Sequence, residues 1–94
     1  MSNYKVGLNR VPVHMREAIS NWIETASVHP GMMGSFLYAL LTNDLMGVYA
    51  NGDESNIDGM REWVMFLYNN APSECYGSRE KIICWHERGG LQGR

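Results

Sequence analysis

The sequence predicts a single all-α domain, built as a small bundle of about four helices. Three segments repeat apolar residues with the 3.6-residue period of an α-helix, and no segment alternates apolar and polar residues as a strand does. Pro and Gly stand between these segments and mark their ends. The 94 residues leave room for one domain. We expect an extended N-terminal arm over residues 1–11, a helical domain over 12–90 and a flexible tail over 91–94.

The first helix is expected over about residues 12–27. Pro12 suits its first turn, because the N–H that proline lacks has no partner there in any case. The apolar positions follow helical spacing and are Met15, Ile19, Trp22, Ile23 and Ala26. The run His29-Pro30-Gly31 ends this helix.

A second helix is expected from about residues 32–35 to about 50, and its apolar positions cover most of its circumference. They are Phe36, Leu37, Leu40, Leu41, Leu45 and Val48, widened by Tyr38 and Tyr49. A helix that is apolar nearly all round is central in its fold or packs on another subunit.

The third helix is expected over about residues 54–70, capped by Asp53 or Ser55 and stopped by Pro72. Its inner stripe is predicted to be Ile57, Met60, Val64, Leu67 and Ala71. A short fourth helix should run from its cap at Ser78 to about Arg88, where Gly89-Gly90 stops it.

Composition and charge exclude several classes of protein. The net charge is −2 and there is no run of Lys or Arg, so broad nucleic-acid binding is not expected. No apolar stretch is long enough to span a membrane. Two cysteines without an export segment are typical of reduced thiols in a cytoplasmic protein. The low charge, seven Met and three Trp favour a surface covered by a partner, most simply another copy of the chain.

Asp44 is the polar residue that fits its predicted surroundings least. On a continuous second helix it projects between Leu37 and Leu40, inside the apolar arc. A buried carboxylate requires a partner, which could be a backbone turn, a Trp N–H or Arg61. Asp44 then either anchors the fold or, with Asn43, belongs to a polar pocket for a ligand.

A second cluster of polar residues follows the third helix. Asn and Ser beside Pro and Gly ordinarily form turns and caps. The alternative is a recognition loop, in which Tyr76 supplies a stacking face and Ser78 opens a helix N-terminus suited to an anion. The candidate ligand-binding set is therefore Asn43, Asp44, Arg61, Asn69, Ser73, Tyr76 and Ser78.

Metal binding and catalysis find no support in the spacing of the reactive residues. Cys75, Cys84, His14, His29 and His86 do not form a zinc-binding pattern, and no His and acid accompany either thiol as a nucleophile requires. We expect no metal, cofactor or catalytic residue.

Phe66 is a further anomaly, because the predicted phase places it opposite the inner stripe of the third helix. Together with the second helix it suggests a protein-facing patch. The candidate partner-binding residues are Phe66, Tyr38 and Met46.

The stretch from Pro30 to Leu91 resembles a family of small proteins encoded by bacteriophages and prophages. The residues that carry the resemblance are Pro30-Gly31, Phe36-Leu37, Leu40-Leu41, Asn43-Asp44-Leu45, Asp53, Asn56, Leu67-Tyr68-Asn69, Ala71-Pro72-Ser73, Cys75-Tyr76-Gly77-Ser78, Trp85 and Gly89-Gly90. The resemblance implies a setting and no chemistry: an accessory protein in the cytoplasm of a bacterial host that blunts a host defence by binding.

Two mechanisms follow from that setting. In the first, a homo-oligomer sequesters a small nucleotide-type signal through the ligand-binding set. In the second, the protein docks on a host immune effector, as an anti-CRISPR protein does, through its apolar patch. The polar side chains near helix ends favour the first, and the Met-rich, aromatic composition favours the second.

Overall fold

The computed structural model describes residues 3–93, and this part of the chain is all-α, as predicted. Its α-helices are α1 (Arg16–Glu24), α2 (Ser35–Leu41), α3 (Leu45–Asn51), α4 (Glu54–Asp58), α5 (Met60–Asn70) and α6 (Arg79–Arg88). Short 3₁₀ helices cover Tyr4–Arg10, Val13–Met15, Pro30–Met32 and Ser73–Cys75. None of the helices within residues 3–93 has both the length and the apolar character needed to cross a bilayer.

The predicted second helix is wrong as one piece, because it breaks into α2 and α3. The Thr42 hydroxyl donates to the Tyr38 carbonyl at 2.7 Å and closes the last turn of α2. Asn43 then takes a positive φ of 63°, a conformation that Asn tolerates better than most residues. Asp44 begins α3 as its N-cap, so the two helices point in different directions and present different faces.

The predicted third helix also divides, at Gly59, into α4 and α5. This break resets the helical phase that Ile57 and Met60 had suggested. Trp63, Phe66 and Leu67 point into the core, and Val64 is half exposed. The expectation that Phe66 lies on the surface and Val64 in the core is therefore wrong, and Phe66 is 0% exposed.

Three buried tryptophans join the helices, and each indole N–H has an acceptor. Trp85 Nε1 donates to the Trp22 carbonyl and Trp22 Nε1 to the Cys75 carbonyl, both at 2.9 Å. Trp63 Nε1 donates to Oδ1 of Asn56, a buried polar residue, at 3.0 Å. Because a buried donor without a partner is costly, these bonds allow indoles to fill the core.

The N-terminal segment is not the extended arm that the sequence predicted. Tyr4–Arg10 folds as a 3₁₀ helix against α5, and Tyr4 and Val11 are buried. The Tyr4 hydroxyl donates to the Glu24 carboxylate, and burial together with that carboxylate raises the pKa of Tyr4. Gly7 lies so close to Asn70 that a Cβ would stand 2.4 Å from Oδ1 of Asn70. Met1 and Ser2, the first residues of the predicted arm, lie outside the described residues.

The C-terminal segment is docked as well, although a flexible tail was predicted. Gly89 is left-handed and donates to the His86 carbonyl, while Gly90 donates to the Trp85 carbonyl at 3.2 Å. This pair of bonds is the Schellman ending of α6. Leu91 N–H then donates to the Ile23 carbonyl at 2.9 Å, which ties the segment to the end of α1. Arg94, the last residue of the predicted tail, lies outside the described residues.

Candidate functional site

Asp44 is exposed and caps a helix, so the prediction that it is buried in an apolar arc is wrong. Its carboxylate accepts the backbone N–H of Gly47 at 3.0 Å. Of the predicted partners, the backbone turn is the one observed. Arg61 lies at the start of α5 with its side chain 83% exposed and forms its ion pair with Glu62 at 3.5 Å. The break between α2 and α3 is the reason, because it turns Asp44 away from Leu37 and Leu40.

The polar segment after α5 forms the turns and caps that are usual for its composition. Ser78 accepts the Lys81 backbone N–H at 3.2 Å as the N-cap of α6. The Lys81 ammonium donates to the Ser73 carbonyl at 3.4 Å. The N–H of Gly77 donates to the Leu41 carbonyl at 2.7 Å and so fixes the segment to the end of α2.

The remaining members of the predicted ligand-binding set are not joined to these caps. The side chains of Asn43 and Asn69 are exposed and form no hydrogen bond within residues 3–93. Tyr76 is half-buried, and this burial raises the pKa of its hydroxyl. The structure thus brings Ser73 and Ser78 together through Lys81, while Arg61 and Asp44 serve other helix ends.

The thiols and imidazoles are likewise dispersed. Cys75 is buried, and burial raises the pKa of its thiol to about 12, which keeps it protonated and unreactive at neutral pH. Cys84 is exposed. Within residues 3–93 no group of three or more His, Cys, Asp or Glu is placed to hold a metal ion. His14 lies 2.9 Å from the Asp53 carboxylate and joins the segment before α1 to the start of α4.

Helix α3 presents the clearest unexplained surface. Leu45, Met46 and Tyr49 are 66%, 80% and 54% exposed, and Val48 is the buried residue of this helix. We call Leu45, Met46 and Tyr49 the α3 face. Of the residues predicted to contact a partner, Met46 belongs to this face, Tyr38 is half-buried, and the assignment of Phe66 is wrong because it lies in the core.

The charged residues that flank α3 in the sequence are all acidic. The sequence contains no Lys or Arg between Arg16 and Arg61. Asp44 precedes α3, and Asp53 and Glu54 follow it, all three exposed. A seven-residue helix is about 10 Å long, so carboxylates stand at both ends of a short uncharged apolar face.

A second surface was not predicted as a site from the sequence, although Tyr38 belongs to it, because three separate segments form it. We call it the histidine groove, a groove of about 360 Å³. It is lined by His29, Pro30, Gly31, Tyr38, Arg79, Ile83, His86 and Glu87. The helical spacing of Arg79, Ile83, His86 and Glu87 could have indicated one shared face of α6. The sequence holds no signal that brings His29 to that face.

Comparisons with family models, with curated proteins and with solved structures gave no match for this chain.

Proposed function

We propose that this chain is a phage-encoded accessory protein that acts without catalysis in the bacterial cytoplasm, by docking its α3 face on a protein of the host defence. The observation that supports this most is the exposure of Leu45, Met46 and Tyr49 on one short helix. Contiguous apolar side chains at the surface are typical of interaction sites, whereas isolated ones are common everywhere.

The size of this face fits a small set of dominant contacts. Complete burial of one fully exposed large apolar side chain stabilises by about 1.5–3 kcal/mol. Leu45, Met46 and Tyr49 are already partly covered, at 66%, 80% and 54% exposed, so burying the rest of them contributes roughly 3–6 kcal/mol before the costs of association. Aromatic side chains at the centre of an interface frequently supply much of its binding energy, which gives Tyr49 particular weight. The rest of the contact would then provide shape and charge complementarity.

The carboxylates at both ends of α3 favour one kind of partner. A second copy related by a two-fold axis would bring like charges together around the same apolar face, which weakens association. A partner with an apolar centre and Lys or Arg at its rim would instead be attracted. Basic surfaces of this kind are found on proteins that handle nucleic acids, so we assign the docking site to a nucleic-acid-binding defence protein.

Substitution on α3 tests this function. A set of bacterial strains, each carrying a single defence system, first identifies the strain on which wild-type phage is protected. Phage that encodes Met46→Lys should lose protection on that strain. The purified variant should bind the defence protein of that strain at least about tenfold more weakly in calorimetric titration. Val64→Lys is the matched control, because Val64 is a half-exposed apolar residue on a different helix, α5.

The opposite results are equally clear. A Met46→Lys protein that still binds and protects as well as wild type would exclude the α3 face. Sedimentation that shows a dimer which Met46→Lys dissociates would assign the face to a second copy and overturn the choice of a host partner.

A further inference from the structure

The histidine groove has the size and mixed lining of a small-molecule site. Its volume of about 360 Å³ falls at the lower end of the range that ligand pockets occupy. One wall is a single face of α6, since residues 79, 83, 86 and 87 recur at helical spacing. The opposite wall is the turn His29–Gly31 together with Tyr38.

Backbone hydrogen bonds fix the two imidazoles in opposite tautomers. The Gly31 N–H donates to Nδ1 of His29 at 3.0 Å, so in the neutral ring the proton is on Nε2. His86 Nδ1 lies 2.7 Å from the Ala26 carbonyl, which can only accept, so Nδ1 carries the proton and Nε2 keeps its lone pair. The rings meet edge to face with centroids 5.4 Å apart. In their neutral forms, the two imidazoles that line the groove therefore carry one N–H donor and one nitrogen acceptor, both at Nε2.

The charges of the groove are unpaired and lie at its two ends. The side chains of Arg79 and Glu87 form no hydrogen bond or ion pair within residues 3–93. Eight residues of helix separate them, which is about 12 Å along α6. Arg79 stands in the first turn, where a cation opposes the helix dipole, so helix stability does not account for it. An anion beside Arg79 would be favoured by both the guanidinium and the dipole.

We propose that the histidine groove binds a small organic phosphate with a planar body. Its phosphate pairs with Arg79, its body lies against Tyr38 and Ile83, and an amino group at its far end donates to Glu87 and to Nε2 of His86. Binding here is independent of docking through the α3 face, since the two surfaces share no residue.

Adenosine 5′-monophosphate is a suitable probe, because it combines a phosphate, a planar ring and an exocyclic amine. Calorimetric titration should show saturable binding at up to millimolar probe, with weaker binding of adenosine alone and of inorganic phosphate alone. In ¹⁵N spectra of the imidazoles, the ring signals of His29 and His86 should shift on addition of the probe.

Arg79→Gln should weaken binding of the probe at least about tenfold, the loss expected for one charged contact. Arg61→Gln is the matched control, since Arg61 is also an exposed arginine in the first turn of a helix and should leave the affinity unchanged. Circular dichroism of both variants checks that they fold. Absence of binding, equal affinity of Arg79→Gln, or inorganic phosphate binding as tightly as the probe would each overturn the proposal.

Discussion

Truncation of Asn56 should destabilise the fold strongly, although Asn56 touches neither proposed surface. Its Oδ1 accepts the indole N–H of Trp63 at 3.0 Å, and Trp63 is completely buried. Asn56→Ala leaves that N–H without an acceptor, which costs about 1–3 kcal/mol. In a domain with about 5–15 kcal/mol of stability this is a large fraction. Since each kcal/mol lowers the midpoint of a chain this size by about 4–8 °C, the expected fall is about 4–24 °C.

Thermal unfolding followed by circular dichroism measures this fall, and a double-mutant cycle with Trp63→Phe identifies its cause. If the hydrogen bond is responsible, the two substitutions should couple by about 0.5–3 kcal/mol. Asn69→Ala is the control, because Asn69 is exposed, its side chain forms no hydrogen bond within residues 3–93, and its truncation should change stability by less than about 0.5 kcal/mol. A stability of Asn56→Ala close to wild type, or two fully additive substitutions, would refute the reasoning.

Three other substitutions test the description of the fold. Gly90→Ala should prevent the C-terminal segment from docking, because a Cβ would lie 2.6 Å from the Glu24 backbone and φ is +71°; protected Leu91 and Gln92 amides in hydrogen exchange would contradict this. Asp44→Ala should cost about 0.5–2 kcal/mol, as expected for an N-cap, measured by urea unfolding, and a loss of 3–5 kcal/mol would instead indicate a buried ion pair. Hydrogen bonding from the Asn56 backbone, and then from His14, lowers the pKa of Asp53 below its unfolded value of about 3.9. Asp53 therefore contributes stability above about pH 4 that is lost as the pH falls through its folded pKa. Asp53→Asn should make the thermal midpoint depend less on pH between pH 5 and pH 3, and an unchanged dependence on pH would contradict this.

The parts of the fold that the sequence predicted well are those with local causes. Two predictions depend only on residues within one or two turns of helix, and the structure confirms both. They are the inward apolar positions of α1 (Ile19, Trp22 and Ile23) and the end of α6 at Gly89-Gly90. Ser78 was identified as a cap for the same reason, because capping depends on a side chain and an amide three residues away.

The parts that the sequence predicted wrongly depend on breaks between helices. No Pro or Gly marks residues 42–44, and the break there depends on Asn43 accepting a left-handed backbone. When a break between two helices is not recognised, every residue after it is assigned to the wrong side of the predicted helix. For this reason Asp44 was predicted to lie in the core. The unrecognised break at Gly59 had the same effect: Phe66 was predicted to lie on the surface and Val64 in the core, whereas Phe66 is buried and Val64 is half exposed.

The histidine groove could not be predicted because its walls meet only after folding. His29 and His86 are 57 residues apart, and nothing in their local sequence indicates that their rings touch. The docking of Leu91 on Ile23 brings the end of α6 to the end of α1, and the turn at His29 follows α1 directly. The groove is thus a consequence of long-range packing around Trp22 and Trp85.

In helix α3, the residues that folding requires are different from the residues that form its exposed apolar face. A seven-residue helix is too short to be stable alone, so α3 depends on its Asp44 cap and on Val48, which is buried. Polar side chains at the positions of Leu45, Met46 and Tyr49 would leave both of these intact and would reduce the exposed apolar surface. Folding therefore supplies no reason for three large apolar residues at these positions, whereas a partner that covers them does.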